Sequence, residues 1–485
     1  MTGRAKVAGR IAFVALLVLA SVHYGWNARH VAPLASYDAG GHAAYVLTIA
    51  DEGRLPHPLE GWSTFHPPTY YLVAAGVWRA LESAGPRALL TGLRAISAFA
   101  ILGCGVVAFI VLRSLGYGPA VAVVAAALVF FTPVAQMASV MIGNEPLAAF
   151  FATLALLCLV RLQATPRDLG AAALAGLCAG LALATKYTGL YVALACVVPF
   201  VRRDIDGRLV RSAAVCLACG LLVVLPVYLR NVAITGTATP VTRTLQPMRG
   251  IEEAYVLRPR RVGDYLWVPF NCLRRPSIIH LDDGPPRSGV WNTSMQSVWG
   301  LTYASLWYDA FTHRIPLRFH HDGIWAGPTL TLLGLVPTGI MLFGFGGALV
   351  ALVRQRGRSP DAPLVVMAVI ALAAVTVITW FAPAMVAVKG SYLLSLILPA
   401  AVFFARGVSA LPGPLRVGSL VISTTAAAAA ALVFTTGLVF PAEFGSRFVR
   451  GWEVTGSYLP GARIEDAARL VDPMWLPNRR PRSAP

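Results

Sequence analysis

Six short stretches hold most of the side chains in this sequence that could do chemistry. Tyr37-Asp38-Ala39-Gly40-Gly41-His42 opens HAAYVLTIADEG and is followed by Phe65-His66-Pro67-Pro68-Thr69-Tyr70-Tyr71. Gly143-Asn144-Glu145-Pro146, Lys186 in ATKYTG, Arg230-Asn231, and Lys389 with Tyr392 in VAVKGSYLL complete the set. The carboxylates Asp38 and Glu145 offer a base for a hydroxyl proton, and His66, Lys186, Arg230 and Lys389 offer positive charge for phosphate oxygens. A phosphate bound to lipid is already an adequate leaving group, so such a site needs no general acid. Each residue also has a plainer role. Asp38 could be a helix N-cap, and Glu145 could only open a helix at its positive dipole end. Lys186 and Lys389 could snorkel, while His66 and Arg230 could be interfacial residues. Convergence of all of them on one face is what favours chemistry.

Such residues act together only if something holds them at one height. Of 485 residues, 57% are hydrophobic and 13% charged, with a mean hydropathy of +0.66. A soluble domain is about 25% charged and disordered chains are poor in apolar residues, which excludes both classes. Yet the net charge is +18, from 40 basic against 22 acidic residues, and only Lys6, Lys186 and Lys389 are lysines. Apolarity with a basic surplus indicates a polytopic integral membrane protein. Apolar runs suited to crossing about 30 Å of hydrocarbon lie near 11–26, 95–112, 118–135, 145–160, 168–185, 187–201, 211–229, 328–353, 362–382, 391–405 and 417–440. The expected fold is all-α, a bundle of about eleven transmembrane helices with amphipathic helices and loops on one face. Arg4, Lys6 and Arg10 before the first run also suit a signal peptide, but no clear small-x-small cleavage site follows, so an uncleaved span is expected.

A twelfth candidate, 68–82, is short, begins at a pair of prolines and carries Arg79 and Glu82 in its last turn. The charge pattern decides against it. If 68–82 lies in the interface, loops 1–10, 113–117, 161–167, 202–211, 354–361 and 406–416 share one side and hold 15 basic residues. Cytoplasmic loops carry such an excess. The N-terminus is then cytoplasmic, a bacterial inner membrane is the expected home, and the six stretches face outward. Four regions follow: 1–230, a transmembrane module with a first external loop at 27–93; 231–326, a long external loop; 327–440, the C-terminal helices; and 441–485, an external tail.

Other classes fall away. The seven cysteines form no CxxC or Cys/His cluster, and no P-loop or dinucleotide motif occurs. The span centres hold no acidic or basic residue, unlike ion-coupled transporters, and no internal repeat is visible. The basic surplus in short loops reads as a topology signal and not as a nucleic-acid footprint.

In order, spacing and sidedness the motifs resemble the GT-C-fold glycosyltransferases of the protein O-mannosyltransferase and lipid A aminoarabinose transferase type, over roughly 10–406. Asp38 and 42–52 are similar to the acid and amphipathic helix of that family's first external loop. His66-Pro67-Pro68-Thr69-Tyr70-Tyr71 resembles its basic residue before Pro-Pro-Leu and aromatics, Arg94 the arginine opening the next span, and Glu145 the second acid. Thr185-Lys186-Tyr187-Thr188-Gly189 resembles a Thr-Lys-x-x-Gly turn, and Ser391-Tyr392-Leu393-Leu394 with Pro399 a late Arg-Tyr-x-Leu-x-x-Pro pattern. The chain departs in having one Asp for an Asp-Glu pair, His66 for Lys, and Ser391 for Arg with Lys389 two residues earlier.

The resemblance implies transfer of a sugar, with inversion, from a polyprenyl-phosphate carrier to an extracytoplasmic hydroxyl of a protein, lipid or glycan. An external site points the same way, since nucleotide sugars are largely cytoplasmic. Asp38 is then the base and Glu145 orients the acceptor. His66, Lys186, Arg230, Lys389, Tyr392 and Arg94 hold the lipid phosphate, and Tyr37, His42, Tyr70, Tyr71 and Asn144 line the site. No cofactor is required, although Asp38 and Glu145 leave a shared divalent cation open. A lipid-linked glycan polymerase or ligase is the alternative reading, and a flippase for the carrier a weaker one.

Overall fold

The computed structural model describes residues 3–30, 39–61, 63–201, 205–240, 259–274, 296–308, 326–381 and 388–437. Tyr37, Asp38, the tail 441–485 and most of 231–326 lie outside the described residues. Among the described residues all regular structure is helical. The first half contains α1 (Gly3–His30), α2 (Ala39–Glu52), α3 (Thr69–Leu81), α4 (Pro86–Ser114), α5 (Pro119–Phe131), α6 (Pro133–Ser139), α7 (Glu145–Ala164), α8 (Leu169–Thr185), α9 (Leu190–Ala195) and α10 (Gly207–Thr235). There follow α11 (Gly263–Leu266), α12 (Asn271–Arg274), α13 (Val298–Trp307), α14 (Ala326–Arg354), α15 (Ala362–Phe381), α16 (Ile397–Ala410) and α17 (Gly413–Gly437).

Fewer helices than the eleven expected spans meet the length of a full crossing. Among the described residues eight helices are long and apolar enough to cross a membrane, or nine if α5 and α6 form one bent span. The remaining two apolar runs fold as shorter helices, Leu169–Thr185 and Tyr187–Phe200. Composition could not reveal this, because the apolar run continues while the backbone does not. Lys186 leaves the helix in an extended conformation, φ −155° and ψ 146°, and the return segment is partly 3₁₀. The α5–α6 bend of 57° has a local cause. Thr132 is extended (φ −58°, ψ 134°) ahead of Pro133, whose ring disfavours helix in the preceding residue and which has no N–H to donate.

The surface segment at 68–82 appears as α3, whose 13 residues reach only about 20 Å. It lies against α2 and α4, burying Tyr70, Tyr71, Ala74 and Trp78 and leaving Leu72 and Val73 exposed. Without a hydrophobic drive between helices in lipid, close approach depends on small residues. α8 and α10 touch through Gly176 and Gly180, where an added Cβ would sit 1.9 Å from the Cys216 carbonyl oxygen and 2.7 Å from that of Gly220. Meanwhile α10 presents Leu217, Leu222 and Leu229 outward, as a lipid-facing helix does. At the end of the bundle away from the site, the charges are paired: Arg161 with Asp168, Arg167 with Asp206 and Arg406 with Asp361, each at 2.8 Å.

Candidate active site

The opposite end of the bundle gathers unlike charges under cover. Glu145 is the first residue of α7, with Pro146 in the first turn, where a missing N–H costs nothing. Lys186 sits just past the end of α8, and its ammonium donates to Glu145 Oε1. Both side chains are buried, at 8% and 7% exposure. Glu145 Oε2 is also buried and accepts no hydrogen bond; a Cβ added at Gly143 would lie 3.1 Å from it and 3.5 Å from the His42 ring. Lys186 Nζ lies 5.4 Å from the centre of the Tyr392 ring and Lys389 Nζ lies 5.9 Å from it, so two buried ammonium groups share one aromatic ring. Snorkelling lysines would reach water, and these do not.

The turn that presents Lys186 depends on Gly189. Its N–H donates to the Lys186 carbonyl at 2.9 Å. A Cβ there would lie 2.3 Å from the backbone of Ala182 and Leu183, which cannot swing aside as a side chain would. Gly189→Ala should therefore cost about 1–3 kcal/mol of stability by overpacking, read from thermal unfolding in detergent. A change within about 0.5 kcal/mol would show that the turn relaxes freely.

Two histidines and two tyrosines close the neighbouring wall. His42 Nδ1 and the Tyr71 hydroxyl are 2.7 Å apart, and the His42 ring stacks on His66 at 5.7 Å. Tyr71 stacks on Tyr45 at 3.7 Å. Tyr70 is fully buried, and burial pushes its phenol well above the usual range, so it stays protonated. Asn144 donates to the Thr185 carbonyl at 3.2 Å, tying the start of α7 to the end of α8.

Thus His42, His66, Tyr70, Tyr71, Asn144, Glu145, Lys186, Lys389 and Tyr392 come together. Arg230 and Arg94 each hold main chain. Arg230 Nη2 donates to the carbonyls of Pro56 (2.7 Å) and Leu55 (3.3 Å), fixing the segment before His66 against α10. Arg94 is fully buried on α4 and donates to the Ala28 carbonyl at 2.7 Å, in the last turn of α1. Tyr187 was not foreseen: its hydroxyl donates to the Phe65 carbonyl at 2.8 Å, joining the lysine turn to the histidine segment. Its place beside Lys186 was the available signal. Tyr45 carried none, since its role depends on how α2 meets α3. Among the described residues no three His, Cys, Asp or Glu side chains group as metal ligands. Directly after Tyr392, Leu393 and Leu394 enter the lining of an apolar cavity of about 220 Å³, with Leu128, Met341, Phe345 and Phe403.

Residues 78–231 match the family of dolichyl-phosphate-mannose-protein mannosyltransferases. Over that segment, about a third of the chain, the sequence is similar to this family. The segment carries Arg94, Asn144, Glu145, Lys186 and Arg230. The fold is similar to that of the Archaeoglobus fulgidus oligosaccharyltransferase in the apo form, at 14% identity and a TM-score of 0.51, covering 98% of this chain and 61% of that chain. The same enzyme tethered with an acceptor peptide containing the NVT sequon gives 14%, 0.51, 98% and 60%. ArnT from Cupriavidus metallidurans aligns over 88% of this chain and 78% of its own at 14% identity, with a TM-score of 0.39. The chain spans about three fifths of the length of the archaeal enzyme, and at such identity the likeness shows the fold alone. No curated protein matches in sequence.

Proposed function

We propose that this chain is a membrane glycosyltransferase that moves a sugar from a polyprenyl-phosphate carrier to a hydroxyl on the extracytoplasmic face. The observation that carries the reading is the pair of buried lysines around Tyr392, set where an apolar cavity begins. A phosphate with a long isoprenoid tail matches that combination of charge and apolar space. Lys186, Lys389 and His66 hold the phosphate oxygens, and the tail runs past Leu393 into the cavity. Asp38 accepts the proton of the acceptor hydroxyl as its oxygen attacks the anomeric carbon. The bond from that carbon to the phosphate oxygen breaks, and polyprenyl phosphate leaves with the configuration inverted. Glu145, through Oε2, accepts a hydrogen bond that orients the acceptor. Arg230, Arg94 and Tyr187 are positioning residues.

In the membrane, α8 and the 187–200 segment cross as a pair, restoring eleven passages. The pairing of Arg167 with Asp206 supports this, since the chain must return from the Lys186 end to the level of Arg167 between them. The N-terminus is then cytoplasmic and the site external. The test is a reconstituted assay with hexosyl- and pentosyl-polyprenyl phosphates and hydroxyl acceptors, EDTA present. Release of polyprenyl phosphate with sugar on the acceptor is expected. Donor binding without any sugar release, with carrier crossing the bilayer instead, would sink the reading in favour of a flippase.

His66 places a group whose charge depends on pH where lysine's would not. Donor KM should therefore depend less on pH in His66→Lys than in the natural protein. Equal slopes in both would remove His66 from the phosphate site.

A further inference from the structure

We infer that residues 262–270 form a lip immersed in the lipid leaflet on the site's side of the membrane, contacting phospholipid where headgroup meets acyl chain. The segment comprises α11 and the turn leading into α12. It exposes an unusual run of large apolar side chains: Leu266 at 80%, Phe270 at 68%, Val262 at 64%, and Trp267 and Val268 at 50%. Exposure alone would not name the occupant, but the height at which the segment is held does. The Tyr265 hydroxyl bonds the Thr376 carbonyl at 3.2 Å and Thr379 Oγ1 at 3.0 Å. Thr331 Oγ1 donates to the Leu273 carbonyl at 2.7 Å.

Thr376 lies five residues before the last residue of α15, and Thr331 five residues after the first of α14. Five residues correspond to about 7–8 Å of helix axis, so both tethers fall at least that far within described stretches that are apolar and long enough to span. A segment pulled to that depth cannot sit in bulk water unless those helices protrude by as much. The lipid-facing surface of α15 also continues into it. Ile378 (50% exposed), Trp380 (44%) and Phe381 (82%) lie on the same end, and the Tyr265 and Trp380 rings are 6.0 Å apart. Trp and Tyr concentrate at membrane interfaces, their polar edges toward the headgroups. Exposed Arg261 and Arg274 bracket the segment and suit the phosphates above. The main chain of the lip is held from the protein side as well, since Ser297 Oγ donates to the Trp267 carbonyl at 2.5 Å. The inference depends on α14 and α15 crossing the membrane and not on the transferase reading.

Photocrosslinking tests it. Phe270→p-benzoylphenylalanine and, separately, Leu266→p-benzoylphenylalanine in the full chain would be reconstituted in phosphatidylethanolamine–phosphatidylglycerol vesicles and irradiated. Phospholipid adducts on the labelled peptide, read by mass spectrometry, are expected at a yield like that of the same probe at Phe381, and at least about fivefold above the probe at Glu60. Yields at the Glu60 level would overturn the inference. So would adducts with a second copy of the chain or with another segment of the same chain. Two probe positions keep the test valid if one variant inserts poorly.

Discussion

Asp38→Asn is expected to lower kcat by roughly 10²–10⁴-fold, the range associated with a lost general base, while leaving the protein folded and donor binding within about twofold. The substitution separates the two roles open to Asp38. Asn caps a helix about as well as Asp does, so a residue that only opens α2 would tolerate the change in both stability and rate. A base would not, because the amide cannot take the hydroxyl proton. Glu145 is poorly placed to rescue the loss, since one of its oxygens is committed to Lys186. The measurement is single-turnover sugar transfer in proteoliposomes with saturating donor, beside a thermal unfolding curve. Transfer at the natural rate would remove Asp38 from the chemistry and move the search for a base to His42, whose Nδ1 is 2.7 Å from the Tyr71 hydroxyl.

How much of this was legible beforehand depended on the range over which each signal acts. Apolar runs are local, and every one of the eleven stretches read from the sequence is helical in whole or in part. What the runs could not supply was where the backbone stops being a helix inside one. The exit at Lys186 and the break at Thr132 are set by a few dihedral angles, and only the proline at 133 advertised the second. The same limit applied to the site. That Glu145 and Lys186 belong to one cluster was readable from their shared membrane face; that they pair directly was not, because it depends on how the ends of α7 and α8 meet through Asn144 and Thr185. For Arg230 and Arg94, sequence cannot tell a guanidinium aimed at a ligand from one aimed at a carbonyl. Their described hydrogen bonds go to Leu55, Pro56 and Ala28.

Lys186→Ala should have the second large effect, and it should appear in two observables for two different reasons. Without the ammonium, the Glu145 carboxylate stays buried with neither oxygen paired. Breaking a buried ion pair from one side costs about 3–5 kcal/mol, so the thermal midpoint should fall. Losing a cation from the phosphate site should separately reduce kcat/KM by roughly 10²–10³-fold, the scale of a deleted transition-state donor. The double variant Lys186→Ala/Glu145→Ala disentangles them. Removing both charges relieves the unpaired carboxylate, so most of the lost stability should return. Transfer should not, because no cation has been restored. If the double variant recovered both stability and activity, the pair would be a structural strut between α7 and α8, and Lys389 and His66 would carry the phosphate. If stability recovered while donor KM stayed high, and Glu145→Ala alone left donor KM unchanged, Lys186 would act on the donor, with Glu145 holding that charge in place until the donor arrives.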